Sequence, residues 1–100
     1  MRAPIFAPRA QHELRAAAMW IAEDNPAAAE ALLIAAMAAT HRLQARPKRG
    51  RVKLELVPAR YRFWPLRGFP YLLVDDAEAE PPIILRFVHQ SRDLPAAFDL

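Results

Sequence analysis

The stretch WIAEDNPAAAEALL, from Trp20 to Leu33, contains the end of one apolar helical pattern, a corner and the start of another. Asp24 and Asn25 interrupt the first pattern, and Asn25 is a favourable N-cap residue. Pro26 suits the first position of a helix, where its missing N–H has no partner to lose. The stretch therefore predicts two helices that meet at a tight corner, and this hairpin constrains the rest of the fold.

Apolar residues recur at helical spacing on both sides of the corner. The first helix is predicted from Arg9 to Glu23, and the second from Pro26 to about Arg46, where Pro47 ends it. Because many inward positions of the second helix are small, the helices can pack closely and offer one apolar face to a sheet. The predicted apolar face of the second helix consists of Ala29, Leu32, Leu33, Ala36, Met37, Thr40 and Leu43.

The remainder of the chain reads as strands joined by short turns. One segment alternates apolar and charged residues, and the others are short apolar runs bounded by proline, glycine or acidic residues. Both patterns are typical of such strands. The predicted fold class is α+β, an N-terminal antiparallel helix hairpin packed on a small antiparallel sheet. The predicted strands are a short edge strand, Arg2–Phe6, followed by Val52–Val57, Tyr61–Leu66, Pro70–Asp76 and Pro81–His89.

Length and composition indicate one domain, residues 1–100, of modest stability. Although 54% of the residues are hydrophobic, many are alanine, so the core is predicted to depend on a few large side chains, among them Trp20, Leu33 and Met37. The absence of cysteine excludes disulfides, thiolate metal sites and cysteine catalysis. No run is apolar enough for a signal peptide or a bilayer-spanning helix, so we expect a soluble cytoplasmic protein without a membrane partner.

The charge is unevenly distributed along the chain. The net charge is +3, with basic residues in Ala45–Lys53 and acidic residues in Asp75–Glu80. This asymmetry suits an acidic partner, either nucleic acid or protein, although an ordinary solvated surface is an equally good interpretation. The acidic run lacks the spacing of a calcium loop and is interpreted as a solvated turn. Because the three histidines are also widely spaced, we predict neither metal nor cofactor.

One set of residues has the chemistry of a nuclease. His89, Arg62 and Arg86 would supply an acid or base and a phosphate clamp if their strands lay close together. However, Arg86 and His89 are three positions apart and point to opposite faces of a regular strand. A polar strand end without catalysis is the favoured interpretation, and catalytic roles for these residues are the alternative.

Five segments in order resemble the ParE branch of the RelE/ParE toxins of bacterial type II toxin–antitoxin systems. The resemblance covers nearly the whole chain, and its last segment is similar to the C-terminal signature of the family. The segments are APRAQHEL (Ala7–Leu14), WIAEDNPAAAEALL (Trp20–Leu33), RLQARPKRGR (Arg42–Arg51), RFWPLRGFPYLLV (Arg62–Val74) and VHQSRDLPAAF (Val88–Phe98).

The resemblance implies a toxin that inhibits DNA gyrase by binding and is neutralised by a cognate ParD-like antitoxin, in a hetero-oligomer. It implies no enzyme activity and no sequence-specific DNA binding by this chain alone. The RelE branch instead cleaves messenger RNA on the ribosome, which is the alternative function, as a metal-independent endoribonuclease. A non-toxic subunit of a repressor complex is a third possibility.

This chain departs from the family pattern in two places. Asp75 and Asp76 stand where relatives continue the third meander strand with an aromatic and a basic residue, so the strand is predicted to be shorter. The catalytic set of the RelE nucleases, with its C-terminal tyrosine, is not matched either, because Phe98 and Leu100 close the chain. The nuclease alternative is therefore the weaker prediction.

These arguments lead to two sets of candidate surface residues. The target-binding candidates are Arg62, Trp64, Arg86, His89 and Arg92. The antitoxin-binding candidates are Phe6, Leu32 and Met37.

Overall fold

Residues 4–45, 50–52 and 59–90 are described by the computed structural model, and within them the chain forms two helices and four strands. The elements in chain order are β1 (Ile5–Phe6), α1 (Pro8–Ala22), α2 (Pro26–Ala45), β2 (Tyr61–Pro65), β3 (Tyr71–Asp76) and β4 (Ile83–His89).

The helix hairpin forms at the predicted corner. The backbone N–H of Ala28 donates to Oδ1 of Asn25 at 3.1 Å, so Asn25 caps α2 as its sequence position indicates. Leu32 and Leu43 are fully buried on the inner face of α2, with small residues between them. Because alanine side chains are small, the hairpin lies close against the sheet.

The four strands form one mixed sheet in the order β1-β4-β3-β2. Strands β2, β3 and β4 are the predicted antiparallel meander, and β1 pairs in parallel with β4 through Ile5 and Ile83. A parallel neighbour requires a long connection, and here the helix hairpin, β2 and β3 all lie between β1 and β4 in the chain. The α+β class is confirmed, and the sheet differs from the prediction in being mixed.

Two local features shape the meander. Gly68 has a φ of +83°, a left-handed conformation that favours glycine, in the turn between β2 and β3. In β4, Arg86 pairs with Val74 whereas Ile84 pairs with Asp75, so Leu85 is an extra residue that forms a bulge. Pro65 predicts either a bulge or an edge strand, and the second alternative is found, because β2 is regular up to Pro65 and lies at the edge of the described sheet.

Buried side chains form clusters on both faces of the sheet, since neighbouring residues of a strand alternate between faces. The cluster beneath the helices consists of Ala10, Leu32, Ala36, Ala39, Leu43, Trp64, Leu66, Leu73, Ile84 and Phe87. The cluster on the other face consists of Phe63, Leu72, Val74 and Val88.

Several predicted positions differ from the observed ones. Trp20, Leu33 and Met37 are predicted in the core, but all three are exposed. For Leu33 and Met37 the reason is that α2 is apolar on every side, so periodicity does not identify its inner face. Trp20 lies near the C-terminal end of α1. Asp75 and Asp76 do not shorten β3, which includes both residues. Most of the predicted strand Val52–Val57 lies outside the described residues.

Neither α1 nor α2 has the combination of length and apolar character that crossing a bilayer requires; this holds for the described part of the chain.

Candidate functional site

The predicted target-binding residues lie on strands that are not neighbours. Within the described ranges these residues are Arg62 and Trp64 on β2, and Arg86 and His89 on β4. The register places Arg62 beside Asp75 and His89 beside Tyr71. Asp75 and Tyr71 lie near opposite ends of the intervening strand β3. Four residues of strand span about 13 Å, so Arg62 and His89 lie at opposite ends of the sheet. Arg92 lies outside the described residues.

Two of these residues are buried, so the expectation that they lie at the surface is wrong. Trp64 is 8% exposed because it lies on the face of β2 that packs beneath the helices. Arg86 is 4% exposed because its guanidinium turns towards α1 and is held there by a carboxylate. Any role of Trp64 or Arg86 in binding is therefore through positioning the residues around them.

Glu13 on α1 is the carboxylate that holds Arg86. The Nη2 of Arg86 donates to Oε2 of Glu13 at 2.6 Å, and its Nε lies 3.1 Å from both carboxylate oxygens. The backbone N–H of Phe87 also donates to Oε1 of Glu13, at 3.0 Å. Strand β1 ends at Phe6, which pairs with Ile84, so β1 does not extend alongside the later residues of β4. At Phe87 the carboxylate of Glu13 accepts the hydrogen bond that a neighbouring strand would otherwise accept. One side chain thus neutralises a buried cation and joins α1 to β4.

A second buried polar pair lies beneath the helices and joins β2 to β3. The Nε1 of Trp64 donates to Oδ1 of Asp75 at 3.0 Å. Asp75 is fully buried, and its Oδ2 has no hydrogen-bond partner among the described residues. The prediction that Asp75 belongs to a solvated turn is therefore wrong, whereas the neighbouring Asp76 is ion-paired with Arg60 at 2.8 Å.

Burial raises the pKa of Asp75 to about 7, from an ordinary value of 3.8. The hydrogen bond from Trp64 and the charge of Arg62 act in the opposite direction, and the nearby Asp76 raises the pKa further. Desolvation is the largest effect, so near neutral pH the carboxyl carries a proton in a substantial fraction of molecules.

Gly50 packs directly against this pair. A Cβ at Gly50 would lie 2.4 Å from Nε1 of Trp64 and 2.7 Å from Cβ of Arg62. The next residue, Arg51, exchanges two backbone hydrogen bonds with Phe63 on β2, each 2.9 Å long. Arg62 donates from Nε to the carbonyl of Ala59 at 2.7 Å. The backbone at Gly50 and Arg51 is thus fixed against β2 by a contact that only glycine permits.

We expect Gly50→Ala to lower the free energy of unfolding by about 1 to 3 kcal/mol, because the added methyl group displaces the Trp64 indole. Chemical denaturation measures this change, and the indole N–H resonance of Trp64 should move in the folded protein. Gly68→Ala is the matched control, since nothing lies within 4 Å of its Cβ position. It should cost about 1 to 2 kcal/mol of backbone strain while leaving that resonance in place. An unmoved resonance in Gly50→Ala would contradict the packing described.

His89 belongs to an aromatic cluster at the end of β4. Its ring lies edge-on to Tyr71 with centroids 5.3 Å apart, and Tyr71 stacks on Phe87 at 5.1 Å. Tyr71 and Phe87 also line a groove of about 450 Å³ between α1 and the sheet. Trp20, which is 63% exposed, lies along the same groove. This end of the molecule therefore offers accessible aromatic surface.

The predicted antitoxin-binding residues differ in accessibility. Met37 is 58% exposed and Phe6 is partly buried, whereas Leu32 is fully buried and therefore offers no surface to a partner in this arrangement. The exposed apolar surface of the helices is larger than predicted. Its other large side chains are Met19, Trp20, Leu33 and Ile34.

The residues of the nuclease alternative do not converge. Arg86 is engaged by Glu13, and Arg62 lies at the opposite end of the sheet from His89. Within residues 4–45, 50–52 and 59–90, no three histidine or acidic side chains come together as a group that could hold a metal ion.

Sequence reasoning missed Glu13, Gly50 and the burial of Asp75. A buried tryptophan needs an acceptor for its indole N–H, and Asp75 on the neighbouring strand is able to supply one; this was an available signal. The partner of Arg86 had no such signal, since Glu13 lies 73 positions away.

A family model described as "ParE toxin of type II toxin-antitoxin system, parDE" matches residues 5–94 of the chain. A search of curated proteins found no significant match.

Proposed function

The chain belongs to the ParE toxin family of type II toxin–antitoxin systems, and we propose that it inhibits DNA gyrase by binding and is neutralised by a cognate ParD-like antitoxin. The observation that carries this proposal is the family match, which spans 90 of the 100 residues. The separation of Arg62, Arg86 and His89 supports a binding mechanism over ribonuclease chemistry, because those residues do not form one reaction site.

The proposed target surface includes His89, Arg62 and Arg92. His89 and Arg62 are partly exposed on the two outer strands of the meander, at opposite ends of the sheet, and Arg92 follows His89 closely in sequence. Trp64 and Arg86 contribute to this surface by holding β2 and β4 in place through Asp75 and Glu13, respectively. Aromatic and arginine side chains are the types that most often dominate binding energy in protein interfaces, which agrees with this composition.

The proposed antitoxin surface is the exposed apolar part of the helices, with Met37 from the predicted set and Phe6 at its margin. Trp20 and Met37 are both more than half exposed, and large apolar surfaces on a small protein usually mark an interaction site. A partner segment that covers them would add apolar burial to a chain of modest core size. Leu32 supports this face from beneath.

Induced expression in bacteria that lack the antitoxin tests the proposal. Incorporation of labelled thymidine and of labelled amino acids is followed over the first minutes, with folded protein confirmed in each culture. Earlier failure of DNA synthesis is the expected result. Earlier failure of protein synthesis would replace the proposal with the ribonuclease alternative, and no effect on either would favour a non-toxic repressor subunit.

His89→Asn should weaken gyrase inhibition about tenfold, equivalent to about 1.4 kcal/mol of binding free energy, because it removes a ring from the proposed contact surface. The measurement is the concentration of purified protein that half-inhibits supercoiling. His41→Asn is the matched control, since His41 is an exposed histidine on α2 and is not part of the proposed target surface. Equal inhibition by both variants would remove His89 from the target surface.

A further inference from the structure

A second, smaller cavity lies between α2 and the turn that joins β2 to β3. It has a volume of about 250 Å³ and is lined, among the described residues, by Ala35, Ala38, Arg42 and Arg67. Pockets that enclose whole small molecules typically measure about 300 to 1,000 Å³. The cavity is therefore of a size to take a side chain from a partner.

The charge lining this cavity is not balanced by the described part of the protein. None of the four lining residues is acidic, and neither arginine has an ion-pair partner among the described residues. Arg42 donates from Nη2 to the carbonyl of Pro65 at 3.3 Å, while its Nε is buried without an acceptor in the described ranges. A guanidinium has five donors suited to a planar anion, so this pair of arginines favours an anionic group.

The rest of the cavity lining distinguishes between anions. The methyl groups of Ala35 and Ala38 form its apolar part. A carboxylate on an aliphatic stem can place its methylene groups against these methyls and its oxygens near the arginines. A phosphate group has no apolar portion to offer and would lose hydration there. The lining therefore favours a glutamate or aspartate side chain.

The surface beside the cavity indicates what carries that side chain. Ile34, Ala38 and Arg42 follow each other at intervals of four residues and so share one side of α2. Ile34 is 63% exposed, and Ala31 and Ala38 are also exposed. The exposed apolar residues on this side of α2 are thus followed by the guanidinium groups of Arg42 and Arg67. A complementary partner segment has apolar residues followed by an acidic residue.

We propose that the cavity formed by Arg42 and Arg67 binds a carboxylate side chain from an acidic, amphipathic protein segment that lies along α2. Identifying that segment as part of the antitoxin rests on the proposed function, whereas the site itself does not. The arginines would fix the position and direction of the segment, while Ile34 and the alanines supply apolar contact.

A titration of the full chain followed by NMR tests this site. The probe is a blocked, helix-forming peptide with leucine and alanine on one face and a single glutamate. Its control has glutamine instead. The glutamate peptide should shift the side-chain Nε–Hε signals of Arg42 and Arg67 and the amide signals of Ala35 and Ala38, and it should bind about tenfold more tightly than the glutamine peptide.

Arg67→Gln should abolish that tenfold preference, and Arg15→Gln, an exposed arginine on α1, should preserve it. Arg67 is also exposed, so its replacement should leave the fold intact. Equal affinity of both peptides, no shift at millimolar peptide, or a response to a short single-stranded oligonucleotide alone would overturn the proposal. Because the titration uses neither gyrase nor cells, its failure and the failure of the toxin assays are distinguishable.

Discussion

Glu13→Leu is expected to lower the free energy of unfolding by about 3 to 5 kcal/mol, the range found when one partner of a buried ion pair is removed. The substitution leaves the guanidinium of Arg86 buried without its counter-ion, and it also leaves the backbone N–H of Phe87 without its acceptor. Since small domains are stable by only about 5 to 15 kcal/mol, this loss should be evident in urea denaturation followed by circular dichroism.

Three further variants distinguish the two causes of this destabilisation, the unpaired guanidinium of Arg86 and the unpaired N–H of Phe87. Glu13→Gln keeps an acceptor for Phe87 and should be less destabilising than Glu13→Leu by about 1 to 3 kcal/mol. The double variant Glu13→Leu with Arg86→Met should recover part of the loss, because the unpaired cation is gone. Glu30→Gln, at an exposed position of α2, should change stability by less than about 0.5 kcal/mol. If the double variant were less stable than Glu13→Leu, the buried pair would not be the cause.

Asp75 should make the protein less stable as the pH rises from about 4 to about 7. The folded protein holds the carboxyl proton up to a pKa of about 7, whereas the unfolded chain loses it near the ordinary value of 3.8. The stabilisation is fully present below the lower pKa and is lost as pH rises through the upper one. The difference of about three pKa units corresponds to an upper limit of about 4 kcal/mol.

Asp75→Asn removes this titration while retaining an acceptor for the indole N–H of Trp64. We expect its free energy of unfolding to vary less between about pH 4.5 and about pH 8 than that of the unchanged protein, and to exceed it at the higher pH. Asp24→Asn, at the exposed corner between the helices, is the control and should leave the pH profile unchanged. A profile for Asp75→Asn that parallels the unchanged protein would contradict the buried, protonated state.

The features predicted from sequence were those encoded locally. The helix corner followed from the N-cap preference of Asn25 and the position of Pro26, and the meander strands followed from short apolar runs bounded by turns. The parallel pairing of β1 with β4 was not predictable in this way, because it joins residues separated by most of the chain. The inner face of α2 was ambiguous because Leu33 and Met37 are as apolar as the residues that are buried.

The site was less predictable than the fold because some residues of types that commonly bind partners at a surface are buried in this protein, where they hold neighbouring residues in place. Arg86 and Trp64 looked like binding residues by type, yet each satisfies a buried partner, Glu13 or Asp75, that sequence spacing does not reveal. The binding roles of His89, Arg62 and Arg92 stay predictions. The cavity formed by Arg42 and Arg67 was not predictable from sequence spacing, because it depends on the approach of the turn between β2 and β3 to α2.

We propose that this protein binds and inhibits gyrase, and supercoiling by the purified enzyme is the decisive assay. Relaxed plasmid, ATP and gyrase are incubated with increasing amounts of the purified chain, and supercoiled and linear DNA are quantified on gels. We expect dose-dependent loss of supercoiling with accumulation of cleaved plasmid, both prevented by prior addition of the cognate antitoxin. Unimpaired supercoiling at a large molar excess of folded protein would contradict it.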